Sequence, residues 1–314
     1  MKKLALIPAL LAAFLLSAAE KQEISGKLVG IFPENIKCIA VLSPASKPNE
    51  KQIRQGIAML EKAGIKVKLM PHAFEGSSKK SAPLENRLAD WNMAVGDPEV
   101  DMIIPTRGGT GSQDLVKLID WKKFKERDLI LMGFSNITCI TGAMDHHKAG
   151  YPIAGPNLGR LVTADKKTLL HLKAVLAKRD IPPVKLTPVK KGDARGRIYA
   201  GHLTLLENNR VSPFPADTTG RVIFIECVGR PTAKLDATFN SLLKKGFFDN
   251  AAAVVLCHFT KVADQEKLPE LFMNWAAKLK CPVYRGYPYG HLNSNYALDF
   301  SRTAAIRDDV LYFE

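Results

Sequence analysis

The apolar run Leu129–Gly133 (LILMG) leads through Phe134 into Ser135-Asn136-Ile137-Thr138, where helical character begins. A serine on a sharp turn from a buried strand into a helix is pushed out at the carboxyl edge of a sheet. There the N–H groups of the helix start face a developing oxyanion. Ser135 is therefore a candidate nucleophile. The position two beyond it is Ile137, where the usual hydrolase turn has glycine, so helix capping by Ser135 or Asn136 stands as the alternative.

A second loop, Arg107-Gly108-Gly109-Thr110-Gly111-Ser112, follows another strand-like run. Its three glycines remove the side chains that would keep a ligand from the backbone. The lysine of GxxxxGK[ST] is missing, so it is not a phosphate loop; a plain turn before a helix is the alternative. A hydroxyl nucleophile needs a base. Of seven histidines, His291 stands out in Gly286-Tyr287-Pro288-Tyr289-Gly290-His291, a loop directly after strand-like CPVY, where functional side chains are usually presented. His171, on a helix among lysines, reads as solvated. Glu226 ends the apolar run Val222–Ile225, and a buried carboxylate is costly unless paired. Its partner is then a histidine or, alternatively, backbone N–H groups and a nearby cation. Ser135, Glu226 and His291 together have the make-up of a Ser-Glu-His triad drawn from separate elements.

The elements that must position these groups alternate short apolar runs with helical segments, the pattern of an α/β fold with a mainly parallel sheet. Strands are expected at Lys37–Leu42, Val67–Met70, Met102–Pro105 and Leu129–Gly133. Helices are expected at about 49–63, 82–95, 112–118 and 164–178. The basic stretch RDIPPVKLTPVKKGDARGR then contains Pro182, Pro183 and Pro188, which exclude regular helix. Residues 20–180 are expected as an N-terminal domain carrying the nucleophile, 181–196 as a linker, and 197–314 as a smaller C-terminal domain carrying Glu226 and His291. In that domain strand-like RIYAGHLTLL, RVIFIECV, AAAVVLCHF and PVYRGYPYGH alternate with helices.

At 314 residues, 46% apolar and 24% charged, the chain has the composition of an ordinary globular protein. The first nineteen residues, with Lys2 and Lys3, an apolar stretch Leu4–Leu16 and small residues Ser17 and Ala19, read as a cleavable secretory signal. Its removal leaves 43 basic against 31 acidic side chains, a balance of +12 outside the cytoplasm. Nucleic acid is then an unexpected partner, and no apolar run reaches the roughly 20 residues of a membrane-spanning helix. Cys38, Cys139, Cys227, Cys257 and Cys281 lack metal-ligand spacing, and the apolar strand-like runs around Cys38, Cys227 and Cys257 suit buried thiols better than nucleophiles.

Six short motifs in order resemble the LD-carboxypeptidases, the serine peptidases that include muramoyl-tetrapeptide carboxypeptidases and microcin C self-immunity proteins. They are Ser43-Pro44-Ala45-Ser46, Arg107–Gly111 (RGGTG), Gly133–Asn136 (GFSN), Ala200–Leu206 (AGHLTLL), Glu226 after its apolar strand, and Gly286–His291 (GYPYGH). The resemblance implies Ser135 as nucleophile, His291 as general base and later acid, and Glu226 as the group that orients and stabilises the imidazolium. It implies an oxyanion hole from the N–H groups of Gly109 and Asn136, and no metal or organic cofactor.

The implied fold is a flavodoxin- or amidotransferase-like N-terminal domain joined to a smaller, β-rich α/β domain, usually as a homodimer, with the site between them. The implied reaction is cleavage of the L,D-amide to a terminal D-amino acid in peptidoglycan tetrapeptides. Asn136 stands where the family usually has aspartate, His202 where it has asparagine, and ECVGR where an EDVGE-like run is common. A terminal carboxylate calls for an arginine fork. Arg107, Arg230 and Arg285 each adjoin a motif, and Gly108 and His202 complete the candidate substrate contacts. A non-catalytic periplasmic peptide-binding protein, or a serine amidase or esterase that detoxifies peptide-like antibiotics, are the alternatives.

Overall fold

The computed structural model describes residues 26–77, 82–211 and 214–314; the signal segment expected at 1–19 lies outside them. The first half builds a sheet from β1 (Cys38–Leu42), β2 (Lys66–Leu69), β3 (Met102–Pro105), β4 (Ile130–Gly133) and β5 (Tyr151–Ala154). All are parallel, in spatial order β2-β1-β3-β4-β5. Helices connect successive strands on both faces, as parallel pairing requires. The alternation of the strands is clean. Ile39, Val41, Met102, Ile104 and Met132 enter the apolar layer on one face. Cys38, Ala40, Leu42, Ile103 and Leu131 enter the layer on the other.

This strand order reverses direction between β1 and β3, and ligands in such sheets bind at the carboxyl ends of the strands beside that point. The turn Ser43–Ser46 follows β1, the loop Arg107–Gly111 follows β3 and Ser135 follows β4, so three of the six motifs meet at one sheet edge. Local signals fix the neighbouring helix Glu50–Lys62. Asn49 caps it by accepting from Gln52 N at 3.1 Å, and Ile53, Met59 and Leu60 make its buried face.

The second half forms an eight-stranded mixed sheet from β6 (Val184–Lys185), β7 (Thr187–Lys190), β8 (Ala194–His202), β9 (Arg221–Val228), β10 (Ala253–Thr260), β11 (Val283–Arg285), β13 (Thr303–Arg307) and β14 (Val310–Phe313). Its parallel centre is β8-β9-β10-β11. β12 (Leu298–Asp299) leaves this half and pairs antiparallel with β5 of the first sheet. The helix Thr138–His147 ties the halves together: Asp145 accepts from Arg221 at 3.0 Å, and Thr138 Oγ1 accepts from His202 N at 3.1 Å.

Three expectations change. The segment 181–196 is not a free linker, because it supplies β6, β7 and the start of β8. Pro188 is tolerated since β7 is the edge strand beside β11, where a missing N–H breaks little of the ladder. The apolar run AGHLTLL is not all strand: β8 ends at His202 and a helix runs Leu203–Val211. His171 is buried rather than solvated, on the inner face of the helix Lys166–Leu176. All five cysteines are buried and unbridged, Cys38, Cys227 and Cys257 as their apolar runs suggest. Burial pushes the thiols of Cys139 and Cys227 up to about 12.

Candidate active site

β4 ends at Gly133, whose lack of a side chain lets Asn157 and Ile137 approach to within 2.8 Å of where a Cβ would stand. Phe134 stays extended. Ser135 then takes φ 61°, the left-handed region that a non-glycine residue enters only when its surroundings over-determine it. This strained step aims the hydroxyl out of the sheet, and a short 3₁₀ turn, Ser135–Ile137, feeds the helix Thr138–His147.

Across the cleft, β11 runs into the loop Gly286–His291. Gly290, at φ 131°, packs so closely on Glu226 that a Cβ there would lie 3.0 Å from that residue's Cβ and Oε2. His291 Nε2 lies 3.1 Å from Ser135 Oγ, and its Nδ1 lies 2.7 Å from Glu226 Oε2. Glu226 is fully buried at the carboxyl end of β9, with His291 as the hydrogen-bond partner of its Oε2. The ring of Phe134 sits 4.9 Å from the imidazole and walls its flank. The serine comes from the first half of the chain, the histidine and glutamate from the second.

The loop after β3 covers the serine closely. A Cβ at Gly108 would stand 2.8 Å from Ser135 Cβ, 3.0 Å from its Oγ and 3.2 Å from Asn136 N. Gly109, at φ 122°, leaves no room for a side chain against Ser46. The Ser46 hydroxyl in turn accepts from Thr110 N at 3.0 Å. Buried Arg87 fastens the turn after β1 to this loop: it donates to Pro44 O at 3.0 Å and to Gly111 O at 2.8 Å. Its sequence context carries no trace of that role.

The cleft has two chambers that share Ser135, His291, Arg107 and Gly109. The smaller, about 360 Å³, adds Gly108, Asn49, Gln52, Asn157, Arg160 and Asn293. The larger, about 670 Å³, adds Asn136, His202, Thr204, Glu207 and Arg230. Arg285 enters neither: it emerges exposed at the β11–β7 edge while Val283 and Tyr284 turn inward. Arg160 was invisible in the sequence because no motif surrounds it.

The Asn136 side chain faces into the protein rather than out to a ligand. Its Oδ1 accepts from Ser112 N at 2.9 Å and its Nδ2 donates to Gln113 at 3.2 Å. An amide performs this capping as an aspartate would, which makes the departure at 136 benign for the loop. His202 is also buried, bonded to Thr204 Oγ1 at 2.9 Å and 3.7 Å from Cys227 Sγ, with its ring 5.9 Å from that of His291. Burial pushes its basicity down, opposed in part by the Glu226 carboxylate, so it meets the cleft as a neutral ring.

Residues 39–153 match the model of the LD-carboxypeptidase N-terminal domain, and residues 195–306 that of the LD-carboxypeptidase C-terminal domain. A probable murein peptide carboxypeptidase of Bacillus subtilis is 25% identical over 299 residues, covering 88% of this chain and 93% of the relative. A putative carboxypeptidase of the same organism is 33% identical over 257 residues, covering 72% and 79%. The solved structure of a muramoyltetrapeptide carboxypeptidase from Oxalobacter formigenes superposes with a TM-score of 0.79 at 21% identity, covering 88% of this chain and 98% of that one.

Proposed function

We propose that this chain, which belongs to the LD-carboxypeptidase family and is a serine-type carboxypeptidase, is exported and removes the terminal D-amino acid from peptidoglycan-derived tetrapeptides. The observation that carries this reading is the unbroken run of contacts from Ser135 Oγ to His291 to buried Glu226 at the floor of a cleft. The murein peptide relative supports the substrate class. The basic n-region and apolar stretch of residues 1–19 support export, and the homodimer rests on family resemblance alone.

In this reading His291 Nε2 takes the Ser135 proton as Oγ attacks the carbonyl carbon of the L,D-amide. Negative charge gathers on the carbonyl oxygen, which the N–H groups of Asn136 and Gly109 receive. Those donors belong to the rigid backbone and need no reorganisation at the moment of attack. The imidazolium formed is held by Glu226 through Nδ1–H, then passes its proton to the leaving amine. The free D-amino acid departs, leaving the peptide acyl group on Ser135. A water repeats the sequence with His291 as base and releases the shortened peptide and the serine.

Purified protein incubated with a muropeptide tetrapeptide, followed by mass spectrometry, should yield the tripeptide and one equivalent of free D-amino acid. Ser135→Ala should yield neither. Wild-type protein that leaves the tetrapeptide intact under these conditions sinks the reading.

A further inference from the structure

A carboxypeptidase has one residue on the leaving side of the scissile bond and the remainder of the peptide on the other, so its two subsites differ in size and in charge. The two chambers here differ in both. They join at Ser135 and His291, where the bond must lie. The smaller, about 360 Å³, carries Arg107 and Arg160, with no acidic side chain on its wall among the described residues. The larger is nearly twice the volume and mixes charges, setting Glu207 beside Arg230 and the shared Arg107. That suits a longer acyl portion with ionised groups of its own.

The two arginines of the small chamber are held in register by the backbone. Gly159 N donates to Thr106 O at 3.0 Å, so the residues just before Arg160 and just before Arg107 are hydrogen-bonded to each other. Gln52 donates to Gly159 O at 2.9 Å and locks the same point from the helix Glu50–Lys62. The Arg160 guanidinium makes no hydrogen bond or ion pair among the described residues. Arg107 has only a long contact of 3.5 Å to Lys47 O. Two pre-placed guanidinium groups with unspent donors, beside a nucleophile, are a receptor for a carboxylate.

We propose that the smaller chamber is the leaving-group subsite and that Arg160, with Arg107, binds the free carboxylate of the terminal D-amino acid, an assignment that rests on the carboxypeptidase reading above. Arg230 then contacts the acyl side. The specificity for a chain end follows directly: a peptide continuing past the D-residue would set a neutral amide, not a carboxylate, against the two guanidinium groups.

The test compares a tetrapeptide ending in free D-alanine with the same peptide ending in D-alaninamide, using kcat/KM for the mature chain. The wild type should prefer the acid, and Arg160→Met should shrink the acid-to-amide ratio by roughly 10- to 100-fold, the scale of a lost charge-assisted hydrogen bond. Arg160→Lys should recover part of that ratio, and Arg230→Met should lower turnover of both peptides with the ratio nearly kept. An unaltered ratio in a folded Arg160→Met protein that still turns over peptide overturns the subsite alone. A ratio that collapses in Arg230→Met instead moves the carboxylate to the larger chamber and also overturns it. Failure of the wild type on both peptides overturns the carboxypeptidase reading and this subsite with it.

Discussion

The main-chain N–H of Asn295 donates to the hydroxyl of Thr168 at 3.0 Å, joining the loop after His291 to a helix from the other half of the chain. The same hydroxyl donates to Asn293 O at 3.3 Å, and Asn295 Oδ1 accepts from Gly290 N at 3.1 Å. Thr168 and Asn295 are both buried. Together they bracket His291 from either side in sequence. A base that must meet a serine on a different domain has its position set by such ties.

Removing the bracket should therefore be felt as lost alignment. Thr168→Val keeps the shape of the side chain, deletes the hydroxyl and leaves Asn295 N without an acceptor. A fall of roughly tenfold in kcat is expected, with KM little changed, because displacements well under 1 Å at the reacting atoms are costly. Thr168→Ser should restore most of the rate. Steady-state kinetics on the tetrapeptide checks this, and an equal loss in KM and kcat for both variants would argue for general loosening instead.

The roles assigned to Ser135, His291 and Glu226 predict a graded pattern. Ser135→Ala should reduce kcat by roughly 10⁴- to 10⁶-fold while peptide binding, measured by calorimetry, is largely retained. Adding His291→Ala to it should cost scarcely more, since the two act as one unit. Glu226→Gln keeps a hydrogen bond to Nδ1 but cannot stabilise the imidazolium, so a loss of about 10³- to 10⁴-fold is expected. A Glu226→Gln enzyme of wild-type rate would remove the glutamate from the mechanism.

Much of this site was legible in the sequence for a local reason. Ser135 and Glu226 each sit at the end of an apolar run, which announces both a buried strand and the point where its side chains can reach a cleft, and His291 sits in the Pro- and Gly-rich loop that follows such a strand. The strand order was not legible, but the alternation of runs and helices was enough to imply a parallel sheet with its loops gathered at one edge. What escaped depends on contacts distant in sequence. Arg87, Arg160 and Thr168 carry ordinary helical surroundings, and only the folded chain brings them to the loops they serve. The prolines of 181–196 suggested a linker because an edge strand, with one side of its backbone unpaired, tolerates proline as a linker does. Arg285 failed as a cleft residue for a related reason: adjacency to a motif in sequence does not say which way a strand turns its side chain.

Gly108 offers a test that separates the site from the fold. Its backbone lies outside the left-handed region, so alanine is conformationally allowed, yet the new methyl would stand 2.8 Å from Ser135 Cβ and 3.2 Å from Asn136 N. Gly108→Ala should cut kcat/KM by at least about 100-fold by displacing the nucleophile and crowding the oxyanion donor. Thermal stability should fall only modestly. Gly26→Ala, whose Cβ would meet nothing within 4 Å, is the matched control and should change neither. Full activity in Gly108→Ala would mean that the loop moves freely away from Ser135.

His171 predicts how stability depends on pH. It is buried in the helix Lys166–Leu176, stacked on Tyr296, with its Nε2 3.2 Å from the hydroxyl of Tyr287 in the loop that leads to His291. Burial, aided by the nearby Arg302 charge, pushes its pKa down to about 3, whereas in the unfolded chain it titrates near 6.5. Between those values the unfolded state binds a proton that the folded state refuses, so protonation favours unfolding as pH falls. Above about pH 7 both states are neutral at this position and it adds no pH dependence. Below about pH 6 its contribution should steepen the loss toward roughly 1.4 kcal/mol per pH unit, a figure to which other buried histidines add. Denaturant unfolding of wild type and His171→Gln at pH 7, 6 and 5 measures the difference. The variant starts less stable at pH 7, because it loses ring packing, and the gap should narrow as the pH drops. A gap that stays constant across that range would show that His171 is protonated equally in both states and that its burial does not exclude the charge.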